Sequence, residues 1–266
     1  MIDLDDTKTY PQEIKAWVLQ MKEYFVKQIP RGSYKEDYEV EHKLWNLRIE
    51  EMEFVQDYLE LHKETEVAVW HNTRILNEDE IRKEGIRTFG GDIEYAIERV
   101  KKVIVPLLLS TEKQEELIKS IMPLWERDKE SRTKAVHFFY TKKQIHNPQL
   151  MEFASNLGGE CVRWGLENID NQMYRQEPYK RLWILGRPCS VKFKVTFDNI
   201  ERRSREHIVR GIIIYYVMTE IYGLGNTIED TGATMCDIVP QDILRIDEIS
   251  NFELEQERFE AYQNFY

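Results

Sequence analysis

The feature that most constrains the fold is an alternation along the chain between segments with helical periodicity and short runs typical of β-strands. Apolar residues at three- and four-residue steps predict amphipathic helices, and the segments predicted to be helical are 10–28, 39–62, 92–104, 112–126, 148–156 and 200–222. Apolar or alternating runs predict strands at 67–70, 135–141, 189–197 and 234–239, the last continuing through 240–246 after a bend. Helices and strands mixed along one chain predict an α+β fold.

The first two predicted helices precede the first predicted strand, and Pro30-Arg31-Gly32-Ser33 separates them. Each has one apolar face and many charged residues elsewhere, so we expect a helical hairpin packed on the rest of the protein. The second is unusually rich in acidic residues. An alternative interpretation is therefore a partner-binding or regulatory arm.

The formal net charge of −11 is unevenly distributed along the 266 residues. Residues 1–66 contain 9 Lys/Arg against 16 Asp/Glu, and residues 247–266 contain 1 against 6. The segment 67–246 is nearly balanced, with 27 basic and 26 acidic residues. We therefore predict an N-terminal helical segment (1–66), a core (67–246) and an acidic C-terminal tail or helix (247–266). The overall acidity argues against general nucleic-acid binding but permits a nucleotide site, which needs only a few donors.

Several classes of protein and of site lack their usual sequence signals. No apolar run approaches the roughly 18 residues that a membrane span needs, and the chain starts with the acidic Met1-Ile2-Asp3-Leu4-Asp5-Asp6, so we expect a cytoplasmic protein without membrane contact. The three cysteines and six histidines show no metal-ligand spacing, which predicts reduced thiols and no bound metal. Phosphate-loop, dinucleotide-fold, zinc-protease and nucleophile-elbow motifs are absent from the sequence.

Polar residues follow the first two core strands. His71, Asn72, Thr73 and Arg74 come directly after Val67–Trp70, and a strand end that carries four polar residues is a natural edge of a site. Asn77 then predicts a helix N-cap, and Gly85 predicts its end. The second strand ends at Tyr140-Thr141.

In this order the segments resemble the ADP-ribosyltransferase superfamily. Its first core strand ends in a histidine followed two residues later by Thr or Ser, a short helix and a glycine come next, and a later strand ends in an aromatic and a small hydroxyl residue. The matching stretches are Val69-Trp70-His71-Asn72-Thr73-Arg74, Glu84-Gly85-Ile86 and Val136-His137-Phe138-Phe139-Tyr140-Thr141. The resemblance covers about 67–246 and implies a split β-sheet core with NAD as substrate.

The chemistry of that reaction suits these residue types. Loss of nicotinamide from NAD leaves an oxocarbenium-like ribose, so the enzyme must hold a ribose hydroxyl, clamp the nicotinamide ring and place a carboxylate near the developing cation. The resemblance implies that His71 binds the ribose hydroxyl and Thr73 supports it, and that Tyr140 stacks on the ring. Arg74 or Arg163 would meet the pyrophosphate. Asn72 and Thr141 complete the predicted NAD-binding residues.

The catalytic carboxylate is left with two candidates. The family carries it near the start of a late strand, where this chain has Gly232 and Ala233. Glu229 lies in the loop before them, beside Asp230. Glu160 follows two glycines that permit close backbone approach.

The first functional hypothesis is an NAD-binding protein that transfers ADP-ribose to a macromolecular acceptor, in the setting of a bacterial or phage toxin or effector. The second is a non-catalytic binding module of the same fold, whose acidic helical arm contacts a basic protein partner. The third is a hydrolase acting on nucleotides or RNA ends, with basic residues at Lys142, Lys143, Arg163 and Arg181. The sequence leaves open whether the chain is an enzyme.

Overall fold

The computed structural model describes residues 1–30, 37–88, 93–105, 109–128, 134–147, 185–225 and 228–250, together with 154, 162, 165, 167–169 and 182. Over these residues the protein is α+β, as the sequence predicts. Its helices are α1 (Gln12–Gln20), α2 (Lys22–Gln28), α3 (Asp37–Trp45), α4 (Glu53–Leu61), α5 (Glu78–Glu84), α6 (Ile93–Ile104), α7 (Thr111–Asp128) and α8 (Arg202–Tyr216). Its strands are β1 (Ile2–Asp3), β2 (Glu66–Ile75), β3 (Val136–Phe139), β4 (Arg187–Thr196), β5 (Thr231–Thr234) and β6 (Ile243–Glu248).

The strands form one open sheet. Their order is β5-β3-β2-β4-β6, and β1 pairs with β2 outside this path. The β1–β2 pair is parallel, with Ile2 opposite Val67. The β4–β6 pair is antiparallel, and its register shifts between Lys192 and Phe193.

The chain divides into two compact units. The first comprises 1–69, 138–142 and 194–233, and the second comprises 70–137, 143–193 and 234–266. The division into 1–66, 67–246 and 247–266 remains a prediction. Over the residues described, no helix combines the length and the apolar character that crossing a membrane requires.

The first unit is organised around α8. The apolar residues of this helix are buried, Ile208, Val209 and Ile212 among them, and α1, α3 and α4 pack against it. The helix continues as one π-helical segment, Val217–Tyr222, which ends at Gly223 in the left-handed conformation (φ 71°). The prediction of a helix over 200–222 is thus confirmed within two residues of its start.

The N-terminal helices are more broken than the sequence predicts. The segment 10–28 forms α1 and α2, which meet at Met21, and 39–62 forms α3 and α4 rather than one long helix. Arg48 lies between the latter two with a φ of 50°, a left-handed conformation that ends an α-helix. A 3₁₀ turn at Ile49–Glu51 follows it.

The second unit contains the part of the sheet around β4. Cys189 and Val191 lie on one face of β4 in a cluster with Ile75, and Ile81 of α5 packs on this cluster. A second cluster joins α6 and α7, including Ile104, Leu117 and Ile121.

The local signals around α5 hold in the structure. The Asn77 side chain accepts a hydrogen bond from the Asp79 N–H (3.0 Å), and Gly85 follows the helix with a φ of 78°. Ile86 then forms an antiparallel bridge with Ile238. A Cβ at Gly85 would lie only 1.9 Å from the Ile238 carbonyl oxygen, so glycine is required here both for its φ and for this close approach.

Three strand predictions need correction. The first strand does not end at Trp70 but continues to Ile75. The second ends at Phe139, two residues before the predicted end. The segment 234–246 is not a single bent strand: β5 lies at Thr231–Thr234, and β6 starts at Ile243 after a 3₁₀ turn at Pro240–Asp242. Pro240 has no N–H to donate to a ladder, which favours a break there. The helix predicted at 148–156 falls almost wholly outside the described residues.

Candidate functional site

The continuation of β2 divides the four polar residues that the sequence groups together. Successive side chains of a strand point to opposite faces. His71 and Thr73 therefore share a face with Ile75, whereas Asn72 and Arg74 lie on the face of Trp70. The prediction that the strand ends before these four residues is wrong, because β2 continues through all of them to Ile75.

His71 is held in a defined orientation by the neighbouring strand. Its Nδ1 lies 2.8 Å from the backbone oxygen of His137, in β3. A carbonyl can only accept, so Nδ1 carries the proton, and in the neutral ring Nε2 is then an acceptor. Burial lowers the pKa of the ring, and the bond to the carbonyl opposes this only in part. The arrangement favours a neutral imidazole that accepts a hydrogen bond at Nε2.

Arg74 and Asn72 bind backbone carbonyls on the other face. The Arg74 Nε donates to the oxygen of Leu185 (2.7 Å), and its Nη1 donates to that of Ala154 (3.4 Å). The buried Asn72 donates through Nδ2 to the oxygen of Ile145 (3.3 Å). These contacts join separate segments of the second unit, so both side chains have a structural role whether or not they meet a ligand.

Trp70 lies on the same face and is fully buried. The Nζ of Lys192 and the Cζ of Arg245 lie 5.1 and 5.2 Å from the centre of its ring. These two residues are directly opposite each other in the β4–β6 pair, and the shared aromatic ring offsets part of their mutual repulsion. The alternation over 189–197 predicts a strand, but it does not predict this convergence of two cationic side chains on Trp70.

Tyr140 is fully buried in the first unit. Its hydroxyl donates to the carbonyl of Ser204 (3.0 Å), and its backbone N–H donates to the carbonyl of Asp230 (3.1 Å). Burial raises the pKa of the phenol well above its usual value. Thr141 beside it is also buried. In this conformation the Tyr140 ring offers no open face on which nicotinamide could stack.

Of the two candidates for the catalytic carboxylate, only Glu229 lies among the described residues. Glu160 and its neighbour Arg163 lie outside the described residues, as does Arg181. Glu229 is exposed in the loop immediately before β5.

Asp230, next to Glu229, is held in place by two hydrogen bonds. The Nδ1 of His207 donates to its Oδ2 (3.0 Å), and the N–H of Thr231 donates to its Oδ1 (2.7 Å). Burial opposes ionisation, but these two hydrogen bonds outweigh it, and the pKa of the carboxyl is lowered. The loop before β5 therefore presents an ionised carboxylate in a fixed position.

A second charged pair lies one turn along α8, and the sequence analysis did not single it out. The Nη1 of Arg210 lies 2.9 Å from Oε2 of Glu50, and its guanidinium lies over the ring of Trp45 at 4.1 Å. Arg210 is buried. The only sequence signal is a lone arginine within the apolar stretch of α8, because its partners are about 160 positions away along the chain.

Among the described residues, no group of three or more His, Cys, Asp and Glu side chains is placed to hold a metal ion. The chemistry that these residues offer is hydrogen bonding by a neutral histidine and electrostatic stabilisation by fixed carboxylates.

No protein-family model matches this chain, and no curated protein or solved structure matches it either.

Proposed function

We propose that this chain is an ADP-ribosyltransferase-like protein of the cytoplasm, which binds NAD and transfers ADP-ribose to a macromolecular acceptor. A bacterial or phage toxin or effector is the setting that the resemblance favours. The proposal rests on the order of motifs in the sequence and on the state of one histidine.

The observation that carries the proposal is the hydrogen bond from Nδ1 of His71 to the His137 carbonyl. It leaves Nε2 as an acceptor, and the lowered pKa keeps the ring neutral. A ribose hydroxyl is a donor of matching chemistry. The role that the resemblance gives to His71 thus agrees with its tautomer and its protonation state.

The other residues of the proposed site divide between the two faces of β2. Thr73 shares the face of His71, whereas Asn72 and Arg74 lie on the opposite face and bind backbone carbonyls. Glu160 and Glu229 both remain candidates for the carboxylate.

One observation favours the alternative, a non-catalytic binding module that contacts a basic protein partner through its acidic helices. The ring of Tyr140 is buried and its hydroxyl is bonded to Ser204. A transferase needs an aromatic face open to nicotinamide, so Tyr140 would have to leave this position before it could take that role.

The test is release of nicotinamide from NAD, together with labelling of a cell lysate by a tagged NAD analogue. We expect His71→Ala to abolish both activities, because the acceptor for the ribose hydroxyl is lost. His146→Ala is the matched control, since His146 is exposed in the second unit, and it should leave both activities unchanged. Full activity in His71→Ala would refute the proposal, and inactivity of the unmodified protein would favour the binding module.

A further inference from the structure

One turn of α8 contacts two different parts of the first unit. His207 faces the loop before β5 and donates to Asp230. Arg210, three residues on, faces the N-terminal segment through Glu50 and Trp45. Residues three apart on a helix are neighbours on its surface, so the two sets of contacts adjoin.

The loop itself, residues 228–231, is bound at several points. Ile228 is buried and packs closely on Gly211 of α8. A Cβ added at Gly211 would lie only 2.6 Å from the Cγ2 of Ile228. The backbone oxygen of Asp230 accepts from the N–H of Tyr140, and its carboxylate accepts from His207. These contacts of Ile228 and Asp230 therefore come from α8 and from the residue after β3.

The side chains of the two contact sets also meet each other. The rings of Trp45 and His207 are 6.5 Å apart in an edge-on arrangement. The positive charge of Arg210 lowers the pKa of Asp230 as well as that of Glu50, although burial opposes both effects. Because Arg210 is buried, loss of its partner would leave a charge that must reorganise or become hydrated.

We propose that the N-terminal segment, through Trp45 and Glu50, positions the loop 228–231 and so the carboxylate of Glu229. The inference rests on the proposed function for its catalytic meaning. In this arrangement α8 transmits the position of the N-terminal helices to the loop, and Arg210 and His207 are positioning residues that touch no substrate.

The test is hydrogen exchange at the backbone N–H of Tyr140, which is bonded to the Asp230 carbonyl. Glu50→Gln should increase its exchange rate about tenfold, because a buried arginine loses its charged partner. Glu51→Gln is the matched control: Glu51 is exposed and pairs with Arg48, so the exchange rate should not change. His207→Leu removes the bond to Asp230 directly and should also accelerate exchange.

A second readout links the loop to the reaction. If the protein releases nicotinamide from NAD, Glu50→Gln should lower kcat while KM stays nearly constant, since the variant displaces a carboxylate rather than the NAD-binding histidine. Acceleration in His207→Leu but not in Glu50→Gln would overturn the proposal, and so would an unchanged rate in both. The exchange measurement needs no activity, so its outcome is independent of whether the protein proves to be a transferase.

Discussion

Replacing Tyr140 with phenylalanine tests whether this tyrosine is a structural residue. The substitution deletes the hydroxyl that donates to the Ser204 carbonyl at 3.0 Å and leaves the buried ring in place. The carbonyl lies inside α8 and so retains a helical partner. We therefore expect the loss of one ordinary hydrogen bond, about 1 kcal/mol.

For a chain of this length, 1 kcal/mol corresponds to a fall in Tm of roughly 2–4 °C. The assay is thermal and urea unfolding followed by circular dichroism. Tyr215→Phe is the matched control, because Tyr215 is half-buried and no described residue hydrogen-bonds to its hydroxyl. An unchanged Tm in Tyr140→Phe, or an equal fall in both variants, would refute the reasoning.

The remaining predictions concern backbone strain, pH and thiol reactivity. Gly85→Ala should destabilise the protein more than Gly223→Ala, as measured by urea unfolding. Both glycines have a positive φ, which costs alanine about 1–2 kcal/mol. Of the two, only Gly85 faces a carbonyl oxygen that an added Cβ would strike. The pKa of Asp230 is lower in the native protein than in the unfolded chain. Its contribution to stability is therefore complete above the unfolded pKa of about 4 and is lost as the pH falls below it. Asp230→Asn should flatten the plot of Tm against pH in that range, and an unchanged slope would contradict the assignment. Burial raises the pKa of Cys189 to about 11. At pH 8 a thiol reagent should therefore modify this cysteine only when the protein unfolds, which peptide mapping can establish. Rapid modification of Cys189 in the native protein would show that its thiol is not buried.

Local signals predicted local structure well. The helix from Asn77 to Gly85 depends on a capping side chain and on a glycine, both within a few residues of the helix they bound. The apolar stretch of α8 likewise identifies a buried helix without reference to any partner.

Non-local pairing explains what the sequence analysis missed. The polar run from His71 to Arg74 has the composition of a loop, yet it belongs to β2, because strand pairing depends on residues far away in the chain. The pairs His207–Asp230 and Arg210–Glu50 likewise depend on how α8 lies against distant segments. The partners lie on different elements, 23 and 160 positions apart in the chain, and no local spacing rule relates them.

The measurement that tests the central claim most directly is calorimetric titration of NAD into the unmodified protein and into His71→Asn. Asparagine can still donate to the His137 carbonyl from the position of Nδ1, but it has no atom at the position of Nε2. We predict that NAD binds the unmodified protein, and that His71→Asn keeps its Tm but loses most of the affinity. Equal affinity in both proteins, or no binding of NAD to the unmodified protein, would contradict the account.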